Sequence, residues 1–282
     1  MVSHPGGLRA AIEALAGRRI AVLTGAGIST DSGIPSYRGH GANPRTPMTI
    51  SDFMQDDRYR KRYWAGSQLG WARFGTVAPN DGHRVLAELE RAGMVVGVMT
   101  QNVDSLHQRA GSAKVIELHG SSDRVRCVDC GQVYAREAVA ESLAELNPWL
   151  AEVDAGVLGP DGDVEITELD RVVVPECGVC GGILRPDIVY FGEFIPAAKN
   201  VQTGGLIAAA DALLVVGSSL VVNSGIRLVD RAVRGGRPVV IINRGETRAD
   251  ARATVKIDGG ATDTLTALAD GLVEASGRVE QR

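Results

Sequence analysis

Gly25-Ala-Gly-Ile-Ser-Thr-Asp-Ser-Gly-Ile-Pro-Ser-Tyr-Arg-Gly39 directly follows the apolar run Ile20-Ala-Val-Leu-Thr24. Glycines at the end of such a run mark a strand-to-helix turn of the dinucleotide-binding kind, G-x-G-x-x-G, with an acidic residue about 20 positions on to hold a ribose. The stretch departs from that pattern twice: Thr30 replaces the third glycine, and Arg45 stands where the acidic residue is expected. Gly25 and Gly27 still permit a tight turn, and a diphosphate can approach backbone amides at a helix N-terminus. A nucleotide is therefore expected, in a pose that need not be a dehydrogenase's. Taken alone, the same turn also reads as purely structural.

Further strand-like runs are Val95–Thr100, Val115–Glu117, Leu213–Gly217, Pro238–Asn243 and Thr254–Ile257. Several are continuously apolar, as strands buried on both faces of a parallel sheet are. Helical patterns lie between them, including Asp81–Ala92 after a capping Asn80 and Gly225–Arg234 after Asn223-Ser224. The fold class is α/β, a Rossmann-like doubly wound parallel sheet. Two stretches interrupt it. A turn-rich then aromatic and arginine-rich insertion runs over about 35–76, and a smaller module over 124–185 contains every cysteine. The predicted organisation is a nucleotide-binding domain over 7–123 and 186–275, the small module at 124–185, and a frayed tail from Glu274, with 276–282 outside the domain.

With 282 residues, the chain is long enough for a large and a small domain without disulfide staples. A net charge of −4 gives no basic footprint, which excludes nucleic acid as the main partner. No window approaches the roughly 18 apolar residues of a membrane helix, and the first residues lack a secretory pattern, so no membrane partner and a cytoplasmic location are expected.

Cys127-Val-Asp-Cys130-Gly and Cys177-Gly-Val-Cys180-Gly place two thiols on each of two tight knuckles. Four thiolates suit one tetrahedral zinc, and a closed set of four leaves no position for a reacting water, so the expected role is structural. The 46 residues between Cys130 and Cys177 exceed the roughly 15–20 of a simple zinc ribbon. The alternative is four unliganded thiols, a redox pair among them.

Gln101, Asn102 and Asp104 follow a strand, at the carboxyl edge where open α/β sheets bind ligands. Amide and carboxylate side chains there suit hydroxyls and a carboxamide; they equally suit a helix start before Arg109. His119, at another strand end beside Gly120, has the ordinary pKa of a general base, or is a satisfied structural histidine. Arg185-Pro-Asp-Ile-Val-Tyr-Phe-Gly-Glu193 offers an extended edge for a peptide or is a linker strand. Gly217-Ser-Ser219 and Asn243-Arg-Gly245 each follow a buried run, where ligand phosphate and ribose can reach backbone amides.

In order, G-A-G-I-S, G-I-P-x-Y-R-G, T-Q-N-V-D-x-L-H, E-L-H-G, the paired C-x-x-C, R-P-x-x-V-x-F-G-E, V-V-G-S-S-L and I-N-x-G resemble the sirtuins over residues 8 to 272. Arg62-Tyr-Trp64, Asn147-Pro-Trp149, Pro160-Asp-Gly-Asp163 and the long cysteine spacing look most like class II. The resemblance implies an NAD-dependent protein lysine deacylase, a transferase that acts on acyl-lysine proteins or peptides. Its products would be nicotinamide, free lysine and O-acyl-ADP-ribose, with NAD as co-substrate and one structural Zn2+. Protein mono-ADP-ribosyltransfer and long-chain or lipoyl-lysine deacylation are the alternatives the class leaves open.

By the same resemblance, His119 is the general base and Asn102 and Gln101 position the ribose. Asp104 and Val103 hold the nicotinamide carboxamide, with Ala26, Ile34 and Pro35 as further wall. Gly25, Gly27, Ser29, Tyr37 and Arg38 fall in the loop that binds phosphates and ribose. Gly217, Ser218, Ser219, Asn243, Arg244, Gly245 and Ala261 fall around the adenosine half. Acyl-lysine would lie along Val189, Phe191, Gly192 and Glu193, and Cys127, Cys130, Cys177 and Cys180 would hold zinc. Two departures stand out. Ser36 and Tyr37 replace the family's common acidic and aromatic pair, and Tyr63 is followed three positions on by Gly66 rather than by the arginine that would grip an acidic acyl group.

Overall fold

In the computed structural model, which describes residues 5–36, 48–153, 166 and 168–279, α1 (Pro5–Leu15) leads into β1 (Ile20–Thr24). After the glycine loop come α2 (Ile50–Gln55), α3 (Asp57–Phe74), α4 (Asp81–Arg91), β2 (Val95–Thr100), α5 (Leu106–Arg109) and β3 (Val115–Glu117). The chain then enters β4 (Gly120–Cys127), β5 (Val133–Ala135), α6 (Arg136–Leu146) and β6 (Leu184–Ile188). It returns through α7 (Ala197–Ala209), β7 (Ala212–Val216), α8 (Asn223–Arg234), β8 (Val239–Ile242), β9 (Val255–Ile257) and α9 (Ala261–Val279).

Six strands form one parallel sheet in the order β3-β2-β1-β7-β8-β9, and β5-β4-β6 form a second, antiparallel sheet. Counting only its own strands, the large sheet runs 3-2-1-4-5-6, the dinucleotide-binding order, whose direction of travel reverses between β1 and β7. Every residue of β1 and β7 is buried. Ile20 and Val22 face a core with Leu15, Leu86, Leu265 and Leu268 from α1, α4 and α9. Ala21 and Leu23 face the opposite core with Leu206, Ile226 and Val229 from α7 and α8. Helices on both faces explain the unbroken apolar runs, because neither face of these strands meets water.

The expected Asn80 cap is present, its side chain accepting from the His83 amide, and α8 starts two residues ahead of the expected Gly225. Three strands are trimmed at their ends; Gly217, for example, leaves β7 because its φ of +63° belongs to a turn. Two expectations need correction. The glycine loop does not open an α-helix: Ala26–Ile28 and Thr30–Ser32 are separate 3-10 turns, and the chain breaks at Gly33, φ +90°, ahead of Pro35. Nor does a frayed tail begin at Glu274, since α9 continues to Val279, with the Ser276 hydroxyl donating to Leu272 O. Leu265, Leu268 and Leu272 anchor that helix, and its last turns continue beyond the core. Tyr37, Arg38, Arg45 and the Pro160–Asp163 motif lie outside the described residues.

Candidate active site at the strand switch point

The three loop glycines at the reversal point interlock. A Cβ on Gly25 would lie 2.8 Å from Gly217 O, and one on Gly27 would lie 2.7 Å from Gly217 Cα. The Gly27 amide donates to Gly217 O at 2.8 Å, so the β1 and β7 loops are laced by backbone alone. Side chains here would force the crevice apart. Ala26 and Gly27 are half-buried on its lip, Ile34 is buried against Leu106, and Pro35 is half-buried. Ser219 is half-buried beyond Gly217, its carbonyl accepting from the Arg248 amide.

The residues after β2 divide between the two expected roles. Asn102 is not a helix cap: its Nδ2 crosses to Gly25 O at 3.3 Å and Ser29 Oγ at 3.0 Å. Asp104 does serve the helix start, Oδ1 accepting from the Leu106 amide at 3.0 Å, while Oδ2 accepts from Ser29 Oγ at 2.7 Å. Burial pushes its carboxyl above the usual range, opposed by these hydrogen bonds. Val103 is half-buried, its carbonyl bonded to the Ser122 amide. Beneath this layer sits a buried polar network that the motifs did not single out. Thr24 Oγ1 meets Thr100 Oγ1 and His107 Nε2, both at 2.9 Å, and the His83 and His107 rings pack edge to face at 4.8 Å. Burial drives the pKa of His83 down to about 4 and that of His107 well below the ordinary value.

His119 stands at the joint between the two sheets. β3 ends at Glu117 and β4 begins at Gly120, whose φ of +80° and contact with Asp187 O leave no room for a side chain. Nδ1 of His119 lies 2.8 Å from Gln101 O and Nε2 lies 2.9 Å from Ser224 Oγ. A carbonyl can only accept, so Nδ1 carries the proton and Nε2 presents a lone pair. Burial lowers the pKa of the ring, partly offset by the bond to Gln101 O. A neutral, oriented imidazole of this kind can take a proton from a hydroxyl.

At the far end of the crevice Asn243 Nδ2 donates to Arg244 O, and Gly245, φ +75°, takes its place in the turn beside Asp258. The exposed Arg244 guanidinium covers Gly260, next to the buried Ala261 that opens α9. On the other side, Val189 donates its amide to His119 O, and Phe191 accepts from the Ile50 amide. Glu193 is engaged in a paired contact with Arg185 at 2.8 and 2.6 Å. Buried Tyr190, 5.1 Å from the Phe53 ring, pins the segment, while Phe191 and Gly192 stay exposed.

The four cysteine sulfurs lie within 4.8 Å of one another, with Cys127–Cys180 at 3.5 Å and Cys130–Cys177 at 3.7 Å. A tetrahedron with Zn–S bonds of about 2.3 Å has edges of about 3.8 Å, so the set fits zinc. Disulfide bonds, at about 2.05 Å, are far shorter. Gly131 and Gly181, at φ +74° and +70°, turn the two knuckles, and Tyr134 Oη lies 3.1 Å from Cys177 Sγ.

Comparison with known proteins agrees with this geometry. The Sir2 family model matches residues 25–224. An NAD-dependent protein deacetylase of Mycobacterium avium is 51% identical over 265 residues, covering 93% of this chain and 94% of its own. One of Streptomyces coelicolor is 48% identical, covering 92% and 88%. A Sir2 structure with p53 peptide and NAD+ aligns with TM-score 0.75 at 33% identity, covering 97% of this chain and 99% of that one. The chain therefore belongs to the Sir2 family.

Proposed function

We propose that this protein is an NAD-dependent protein lysine deacetylase whose chemistry takes place in the crevice between the two sheets. The observation that carries the reading is His119: held by Gln101 O at 2.8 Å, it offers a neutral Nε2 lone pair at the carboxyl edge of the parallel sheet. The names of the relatives support the same activity.

In this reading, NAD lies across the switch point. The Ala26 amide, with Ser29 and Arg38, takes the diphosphate and adjoining ribose, beside Tyr37, while Gly25 and Gly27, whose own amides donate to Val216 O and Gly217 O, let the ligand approach the backbone closely. Gly217 to Ser219, Asn243 to Gly245 and Ala261 take the adenosine half. Asn102 and Gln101 face the nicotinamide ribose, and Asp104 and Val103 face the carboxamide, with Ile34 and Pro35 closing the wall. Acetyl-lysine enters along Val189 to Glu193, its backbone pairing with the exposed edge beside Phe191 and Gly192. The acetyl oxygen attacks the anomeric carbon and nicotinamide leaves. His119 then draws the proton from a ribose hydroxyl, which attacks the imidate carbon; the lysine amine leaves, carrying away a proton, and a water adds to the cyclic acetyl carbon left on the ribose, so that lysine and O-acetyl-ADP-ribose are the products. Cys127, Cys130, Cys177 and Cys180 would hold a zinc as a structural staple, since four thiolates leave no position for a reacting water.

Incubation with NAD and an acetyl-lysine peptide tests the reading, with mass spectrometry following the peptide and O-acetyl-ADP-ribose. Deacetylation that requires NAD is expected. ADP-ribose attached to protein with no lysine freed would instead mark a mono-ADP-ribosyltransferase.

A further inference from the structure

We propose that Ser224 is a second catalytic hydroxyl, through which the ribose proton reaches His119; this rests on the deacetylase reading above. Hydrogen-bond directions around Ser224 fix one another. The Ser218 hydroxyl donates to Gln101 Oε1 at 2.6 Å while its oxygen accepts from the Leu220 amide at 3.2 Å. That turns the Gln101 amide so that Nε2 donates to Ser224 Oγ at 3.3 Å. Nε2 of His119 bears no proton, so the 2.9 Å contact requires Ser224 to donate.

A hydroxyl has one proton and two lone pairs. The proton goes to His119, one lone pair receives Gln101, and among the described residues nothing fills the other. The only lone pair on the imidazole is thus already filled by Ser224. A sugar hydroxyl that donates into the open lone pair reaches the base with every existing bond kept, whereas direct contact would first require Ser224 to be displaced.

The step balances. The ribose O–H proton passes to Ser224 Oγ as the proton of Ser224 passes to His119 Nε2, and the electron pair left on the ribose oxygen forms the bond to the imidate carbon. Ser224 ends neutral and His119 ends as imidazolium.

Two features of the fold support the role. Ser224 is in the first turn of the twelve-residue α8, where the N–H groups favour the negative charge that develops on the neighbouring oxygen. Next to it, a Cβ on Gly225 would lie 3.1 Å from Gln101 Nε2, so the glycine leaves the amide room to stay in line.

Two assays separate this role from simple support. Exchange of labelled nicotinamide into NAD in the presence of acetyl-lysine peptide needs nicotinamide to leave and return but needs no base; net deacetylation needs the base. Ser224→Ala is expected to keep exchange within about twofold while net deacetylation falls about 10- to 100-fold. Ser224→Thr, which restores the hydroxyl, should recover most of the turnover. His119→Ala/Ser224→Ala should be no slower than His119→Ala alone, because both groups serve one path. Turnover of Ser224→Ala within twofold of wild type would overturn the proposal, as would parallel loss of exchange and turnover. If the wild-type protein releases no nicotinamide with acetyl-lysine peptide, the deacetylase reading itself fails.

Discussion

The six-stranded and three-stranded sheets meet at His119 but hold their shape by different means. β1 and β7 bury every residue, and their alternate side chains enter two apolar cores under helices on both faces. The antiparallel sheet has a small core of Trp64, Val125, Val139, Leu143 and Leu184, completed by Cys127 and Cys177 themselves. Polar ties supplement it: Asp187 accepts from Arg124 and Arg126, both at 3.0 Å, and Arg124 also reaches Glu117 at 2.8 Å. One sheet supplies a rigid carboxyl edge through apolar burial. The other depends on its thiolate staple, and the segment expected to meet the peptide extends directly from it.

The largest effect should come from removing that staple. Cys177→Ala, or zinc removal by a chelator, should cost the small sheet on the order of 10 kcal/mol of metal-linked stability. Amides of 120–127 and 184–188 should lose hydrogen-exchange protection while those of 20–24 and 212–216 keep theirs. Equal loss in both sheets would erase the contrast. Next, His119→Ala should lower deacetylation about 10²- to 10⁴-fold with zinc content and melting unchanged. The acid limb of kcat/KM should fall below pH 6.5, because burial lowers the pKa of His119 and so keeps the base neutral at lower pH. Gly217→Ala should destabilise the parallel sheet by about 3 kcal/mol, since the new Cβ meets the Gly27 and Ile28 backbone and φ is +63°. Chemical denaturation measures that loss.

The smallest effect concerns pH. His83 is held at a pKa of about 4 by burial, below its value in the unfolded chain. Its contribution is complete above pH 6.5 and is lost as pH falls towards 4, about 3 kcal/mol over that range. Asp104, whose pKa is raised by burial, works in the opposite direction and offsets part of the loss. Stability measured from pH 7 to pH 4 should therefore decline less steeply in His83→Gln.

The parallel sheet was legible because strands buried on both faces must read as unbroken apolar runs; Ile20–Thr24 and Val95–Thr100 match to the residue. The cysteine cluster was legible from two repeated knuckles. The turns after β1 were not, because Gly25 and Gly27 suit a helix start as well as the interlock with Gly217 that the folded chain makes. Ser224 and Gly225 were hidden for a related reason. As the opening of a helix they look like local punctuation, and only the fold brings them to Gln101 and His119. His83 gave no sign beyond being a histidine on an apolar helix face, whereas His107 closes the T-Q-N-V-D-x-L-H motif without an assigned part.

If this crevice couples NAD cleavage to loss of an acetyl group from lysine, net release of nicotinamide must require the acetylated peptide. The most direct measurement is the ratio of nicotinamide released to lysine freed, with and without acetylated peptide. One nicotinamide per lysine and negligible release without peptide are expected. Lysine freed without NAD consumption, or nicotinamide released equally fast without peptide, would contradict this coupling.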